Sequence, residues 1–401
     1  VPPTIGCAAM KRFIITNVSA VLHDRVVDNA RIVIEDGIVT EIGTNTGASP
    51  DSFDGRGAFC IPGIVDTHSD GLEMEHRPRP GAKLPLDFSL RSFEARVRAS
   101  GITTLFHGIG FENDGNRTVE LANDLVDLVH GYGDAPTLVD HRVLYRIDAR
   151  DADGFTGVAD RIDRDRLVDE MPLVSFEDHT PGQGQYKDRA YFERWIMGTR
   201  NIDADAARAE VDQLVAERDL LLHHRAAAIP WLTERAARGE IRLMAHDPAT
   251  IDDVDEALGW NATIAEFPTT IAAAKHAKLH GMRTVCGAPN VLRGGSHSGN
   301  VAAAELVSLG LCDGLSSDYL PFSMVGAIGA LVRIGACSLP EAVRLVTSGP
   351  ARTVGLADRG TLEVGARADL AICHLLERDP TVIGTFRAGS ETSPGMALQD
   401  A

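Results

Sequence analysis

The stretch Pro62-Gly63-Ile64-Val65-Asp66-Thr67-His68-Ser69-Asp70 places an imidazole and a carboxylate two residues apart. Side chains repeat every second residue along a strand, so His68 and Asp70 share a face. Together they can chelate one divalent cation. The plain alternative is a solvated turn with a capping Asp, which a position at the end of a barrel's first strand argues against. Three later apolar runs also end in residues of ligand type. Asp178 and His179 follow Leu173–Glu177, His246 and Asp247 follow Ile241–Ala245, and Asp318 follows Leu315-Ser316-Ser317. One strand-end His is ordinarily structural, but several that converge on one rim are hard to explain as packing. Glu177 and Asp178 are adjacent, so only one faces inward, and Asp178 is preferred. Glu266, after Thr263-Ile264-Ala265, is a further inward candidate.

A second kind of chemistry is written in Gly287-Ala288-Pro289-Asn290-Val291-Leu292-Arg293-Gly294-Gly295-Ser296-His297-Ser298-Gly299-Asn300. Its glycines permit close backbone approach. Arg293 offers a planar fork, and Ser296, His297 and Ser298 offer donors to an anion. A helix is expected to start near Asn300 and to add a favourable dipole. A flexible loop is the bland alternative. Arg77-Pro78-Arg79-Pro80-Gly81 and the loop Thr180–Arg189, with Lys187, add positive charge. Each alone reads as a solvated loop, whereas together they put cations around one mouth.

Such residues need a frame that gathers strand ends. From residue 62, short apolar strands alternate with helical stretches. The strands are Ile64–Asp66, Thr103–His107, Val143–Ile147, Leu173–Phe176, Ile241–Ala245, Thr263–Ala265, Arg283–Cys286 and Gly314–Ser317. Val119–Leu128 and Ile271–Leu279 are among the helices. The α/β alternation predicts a (β/α)8 TIM-like barrel over 62–353. Residues 11–61 are strand-rich, with Asp36-Gly37 as a hairpin turn. Gly360–Ile372 reads as two strands joined by a turn. Residues 1–61 and 354–401 are therefore expected to form one small composite β-sandwich beside the barrel, with the last dozen residues frayed.

The formal net charge of −18 excludes general affinity for nucleic acid or an anionic membrane surface. It leaves room for a small anion held by local Arg residues. None of the six cysteines, Cys7 among them, falls in a Cys-x-x-Cys pair, and buried free thiols are expected. Residues 1–10 lack a signal-like apolar stretch and no segment approaches about 18 apolar residues, so a cytoplasmic protein is expected. Homo-oligomerisation is the default expectation. There is no P-loop, no strand-linked Gly-x-Gly-x-x-Gly and no nucleophile elbow.

The barrel start at Pro62–Asp70 and the closing Gly365-Ala366-Arg367-Ala368-Asp369-Leu370 resemble the amidohydrolase superfamily. That family carries His-x-His on strand one and a lysine on strand four. Here His68-Ser69-Asp70 and Glu177-Asp178-His179 stand instead, which argues against a carbamate-bridged metal pair. The departures resemble the triphosphate diphosphatases of phosphonate metabolism, carried by Leu72-Glu73 with Arg77–Gly81, Asp178–Gln183, Ala265–Thr270, Gly287–Asn300 and Leu315–Tyr319. The resemblance spans nearly the whole chain. It implies hydrolysis of α-D-ribose 1-methylphosphonate 5-triphosphate to the 5-phosphate and pyrophosphate. One or two divalent ions (Zn, Mn or Mg) are expected on His68, Asp70, His246 and Asp318 with Asp178 or His179. Asp318 is the candidate general base, with His246 and Asp178 beside it. The rival readings are a C–N hydrolase of cyclic amides, a deaminase, and a non-catalytic ligand-binding subunit.

Overall fold

The computed structural model describes residues 12–44, 52–113, 117–133, 138–165, 171–296, 298–376 and 380–391. Cys7, His297 and nearly all of the final dozen residues lie outside these. The chain opens with β1 (Arg12–Val21), β2 (Val26–Glu35), β3 (Ile38–Thr44), β4 (Ser52–Asp54) and β5 (Phe59–Pro62). The β2–β3 hairpin turns at Asp36 and Gly37, both with positive φ (48° and 80°). That is the two-residue turn the Asp-Gly pair encodes.

Only Gly63 separates β5 from the first of eight parallel strands. These are β6 (Ile64–Ser69), β7 (Ile102–Phe111), β8 (Asp140–Asp148), β9 (Leu173–Glu177), β10 (Arg242–His246), β11 (Ile264–Glu266), β12 (Arg283–Gly287) and β13 (Gly314–Ser316). They neighbour one another in sequence order, and each matches an expected strand. The barrel closes just past β13. There the Asp318 N–H donates to the His68 carbonyl at 3.0 Å and the Asp70 N–H to the Asp318 carbonyl at 2.7 Å. Helices cover the outside, among them α1 (Gly71–His76), α2 (Leu86–Ala99), α3 (Val119–Gly133) and the helix Ile271–Leu279. The last is capped by the Thr270 side chain, which accepts from the Ala273 N–H.

Strand alternation sorts the barrel interior by height. Phe106, Leu144, Leu173, Met244, Ile264 and Val285 meet as one buried apolar layer. Two residues further along the same strands stand Arg146, Ser175, His246 and Glu266, so the polar positions begin directly above it.

The chain returns as β14 (Leu370–His374), β15 (Thr381–Arg387) and β16 (Ser390–Glu391). β14 pairs antiparallel with β5, so both ends of the described chain share one sheet, ordered β16-β15-β14-β5-β1-β2-β3 with β4 beside β1. Phe13, Phe53 and Phe386 pack mutually in its core. Of the two strands expected within Gly360–Ile372, the second is the start of β14 and the first is corrected here. Residues 360–369 form no strand, and instead the Gly365 N–H, the Ala366 carbonyl and the Ala368 N–H bond to Val39 and Gly37 as a docked loop. Cys60, Cys286 and Cys373 are buried free thiols, and Cys312 and Cys337 are half-buried. No helix among the described residues is long and apolar enough to cross a membrane.

Candidate metal centre and anion site

Glu266 organises the mouth of the barrel. Its Oε1 lies 2.8 Å from Nδ1 of His68, and its Oε2 lies 2.7 Å from Nδ1 of His246. Ser175 donates to Oε2 at 2.9 Å. Burial pushes this carboxyl up, but the two imidazoles more than offset that and hold it well below the usual range. With both Nδ1 atoms engaged, both Nε2 atoms are left to face the cleft.

Around those Nε2 atoms the structure gathers two groups of three. His68, Asp70 and Asp318 form one, and Glu177, His179 and His246 the other. In each, one ligand atom per residue lies within 4.8 Å of the others. The His68 and His246 rings are 5.8 Å apart. Asp247 Oδ2 lies 3.5 Å from His246 Nε2, buried and without a hydrogen-bond partner among the described residues. A buried carboxylate oxygen left unpaired beside imidazoles is the environment a divalent cation completes. Asp247, Phe267 and Asp318 carry φ of 53°, 53° and 56°, each just past a strand that supplies the site. Such left-handed backbone costs roughly 1–3 kcal/mol per residue and collects where side chains must be aimed.

Arg146 of β8 sits between the two groups. Its Nη1 is 2.7 Å from Asp70 Oδ1, while Nε and Nη2 lie 3.1 and 3.2 Å from the two oxygens of Glu177. Burial raises Glu177, but Arg146 with His179 and His246 brings it down to about 2. Burial lowers His246, but Asp247, Glu177 and Glu266 raise it to about 9. Asp318 is pushed up to about 6, by burial first and then by the Asp70 charge.

His68, Asp70, His179, His246 and Asp318 thus line one cleft, joined by Arg293, Ser296 and Ser298. The cleft has a volume of about 170 Å³. Its far wall is the expected anion loop, with a difference. Ala288–Arg293 is a short helix, and the helix expected from Asn300 begins at Ala303. Ser296 and Ser298 hydroxyls bond at 2.9 Å, and Asn300 Nδ2 donates to Ser298 Oγ at 2.9 Å. The Arg293 guanidinium is held by the Tyr319 hydroxyl.

Other expectations are placed differently. Asp178 faces away from the cleft. It accepts from Arg150 Nε at 2.7 Å and from the Thr180 N–H at 3.1 Å. The reason is alternation, because Leu173, Ser175 and Glu177 take the inward positions of β9. Glu177 is therefore the inward carboxylate where Asp178 was preferred. Lys187 is exposed and does not line the cleft, although Gln185 of its loop does. Arg77 and Arg79 line a separate pocket beside α1. Arg146 was missed altogether. Its signal was a single cation in the apolar strand Val143–Ile147, two residues beyond the inward Leu144.

The family model "Amidohydrolase family" matches residues 175–391. The chain is 33% identical over 382 residues to the alpha-D-ribose 1-methylphosphonate 5-triphosphate diphosphatase of Escherichia coli (strain K12), covering 94% of this chain and 99% of that protein. It is 26% identical over 381 residues to the imidazolonepropionase of Mycolicibacterium smegmatis, covering 91% of each. Among solved structures, a triazine hydrolase variant superposes with a TM-score of 0.65 at 14% identity, covering 95% of this chain and 94% of that one, which bears on the fold alone. With a barrel closed at His68 and Asp318, a mouth lined by imidazoles and carboxylates, and these matches over nearly its whole length, the chain belongs to the amidohydrolase family of hydrolases.

Proposed function

We propose that the protein is a divalent-cation-dependent hydrolase that cleaves α-D-ribose 1-methylphosphonate 5-triphosphate to the 5-phosphate and pyrophosphate. The observation that carries this reading is one cleft lined by His68, Asp70, Asp318, His179 and His246 of the two ligand groups together with Arg293, Ser296 and Ser298. Cation-binding and anion-binding groups side by side suit a polyphosphate better than a neutral amide. The near full-length similarity to a diphosphatase that acts on this compound supports the same reading.

His68, Asp70 and Asp318, and His246, His179 and Glu177, are the residues that would hold one or two ions. A bound divalent cation supplies Lewis acidity, which lowers the pKa of water towards about 7 and polarises phosphoryl oxygens. The chain does the rest. Asp318, whose carboxyl is pushed up by burial and by the Asp70 charge, is placed to accept a proton from the attacking water. The water oxygen bonds to the phosphorus nearest the ribose, the bond from that phosphorus to the bridging oxygen breaks, and pyrophosphate leaves carrying that oxygen. Arg146 lies between Asp70 and Glu177, where it can shift a donor to the phosphoryl oxygens as they gain charge. Arg293, Ser296 and Ser298 hold the departing end. Imidazoles favour Zn²⁺ and carboxylates favour Mn²⁺ or Mg²⁺, and this set contains both. The cytoplasm, where phosphorylated metabolites are retained, is the compartment that fits this substrate.

The test is product analysis. Purified protein is reconstituted separately with Mn²⁺, Zn²⁺ and Mg²⁺, and pyrophosphate and ammonia are both assayed. Pyrophosphate from the ribose triphosphate supports the proposal. Ammonia or ring opening from a cyclic amide, with no pyrophosphate, replaces it with the C–N reading that the imidazolonepropionase similarity favours. Protein that retains no metal and gains no activity from added metal indicates a binding role.

A further inference from the structure

The substrate proposed above carries an anion at each end, and the cleft accounts for only one. We infer that the pocket beside α1 is a second anion subsite, which takes the phosphonate at the far end of the ribose. This inference rests on the triphosphate reading.

The pocket has a volume of about 820 Å³ and is walled by Arg77, Arg79, Lys83, Arg117 and His76, with Glu73 as its acid. Glu73 is already committed. It accepts from Arg117 Nε at 2.8 Å and from the Gly110 N–H at 3.2 Å. Arg117 is shared further with Glu112. Arg77, Arg79 and Lys83 have no acidic partner among the described residues, and Arg77 Nε is buried without any hydrogen bond. His76 is 7% exposed, and its Nδ1 also lacks a partner. In a chain of net charge −18, three cations within seven residues that find no carboxylate mark a site for an anion from outside.

The loop that presents them is built in advance. The Leu84 N–H donates to the His76 carbonyl at 2.9 Å and the Ala82 N–H to the Arg79 carbonyl at 3.1 Å. Pro78 and Pro80 stiffen the span between. Little ordering entropy remains to be lost when a ligand binds.

Strand β7 brings this pocket close to the metal centre. Gly108 and Gly110 occupy successive inward positions of β7, about 7 Å apart at the usual rise per residue. A Cβ on Gly108 would stand 2.8 Å from Asp70 Oδ1, and one on Gly110 would stand 3.1 Å from Arg117 Cδ. Asp70 packs over the first of these glycines and Arg117 over the second, so a wall residue of each site lies against neighbouring positions of one strand. A pentose with an anion at each end can span this distance, with its triphosphate at the ligand groups and its other anion among the cations of α1.

The experiment compares two compounds, the ribose 1-methylphosphonate 5-triphosphate and ATP, whose ribose carries an uncharged base at C1. The variant R77A/R79A/K83A alters three residues outside the barrel core. The ratio of kcat/KM for the doubly anionic compound over ATP is expected to fall at least tenfold, mostly through KM. The variant R77K/R79K is expected to recover part of it. Methylphosphonate alone should inhibit the wild type competitively and the triple variant at least tenfold more weakly. A ratio within twofold of wild type, with unchanged methylphosphonate inhibition, overturns the subsite while leaving the hydrolase reading intact. A wild type that releases pyrophosphate from neither compound overturns that reading and the subsite with it.

Discussion

The substitution Glu266→Gln isolates the group that aims both imidazoles. Glu266 accepts from Nδ1 of His68 with one oxygen and from Nδ1 of His246 with the other. A glutamine keeps one acceptor oxygen and replaces the other with an NH2, which can only donate. One imidazole must then face a donor with its own N–H, or change tautomer and turn its lone pair from the cleft. The loss of one hydrogen bond to a charged group is worth about 1.5–3 kcal/mol. Loss of such an orienting partner corresponds to a fall of about 10–100-fold in metal affinity. Calorimetric titration of metal-stripped protein with Mn²⁺ and Zn²⁺ measures this directly. None of the cleft-facing ligand atoms is removed, so pyrophosphate release at saturating cation should return to within about tenfold of wild type. Affinity unchanged within twofold would refute the aiming role. A loss of activity that excess cation does not relieve would show Glu266 contacting the reacting groups itself.

Asp318→Asn should lower kcat by about 10²–10⁴-fold with substrate binding nearly intact, measured by stopped turnover and equilibrium binding. Unchanged turnover removes Asp318 from proton transfer. Arg293→Ala should raise KM more than it lowers kcat in a steady-state pyrophosphate assay, and an unaltered KM counts against a phosphate role for its loop. Arg146→Met removes the cation between Asp70 and Glu177 and leaves two buried carboxylates closer to mutual repulsion. kcat should fall by about 10²–10³-fold, and a variant with wild-type kcat would make Arg146 purely structural. Leu144→Ala opens a cavity in the apolar layer and should cost about 2–5 kcal/mol in urea unfolding, and a cost below about 1 kcal/mol would mean the layer is loosely packed.

The architecture was legible where local pattern and tertiary demand agree. Eight apolar runs became eight barrel strands, and Asp36-Gly37 turned the hairpin its chemistry encodes. Legibility failed where a short segment borrows its partners from afar. Gly360–Glu363 has strand-like composition, yet its neighbours bond to β3 through a loop, a choice made by Val39 and Gly37 rather than by the segment. His68, Asp70, His246 and Asp318 could be read because each ends a strand. Glu177 against Asp178 could not, since that choice depends on the register of β9, and a shift of one residue exchanges the two faces. Arg146 escaped because its partners, Asp70 and Glu177, lie 76 and 31 residues away in the chain.

Beneath the ligand groups, Phe106, Leu144, Leu173, Met244, Ile264 and Val285 seal the barrel, and Val354 and Leu356 pack against them. The reaction chamber is consequently a blind well. Nothing can drain through the base, so reactant, water, released protons and both products must all pass on the side of the barrel where the strands end.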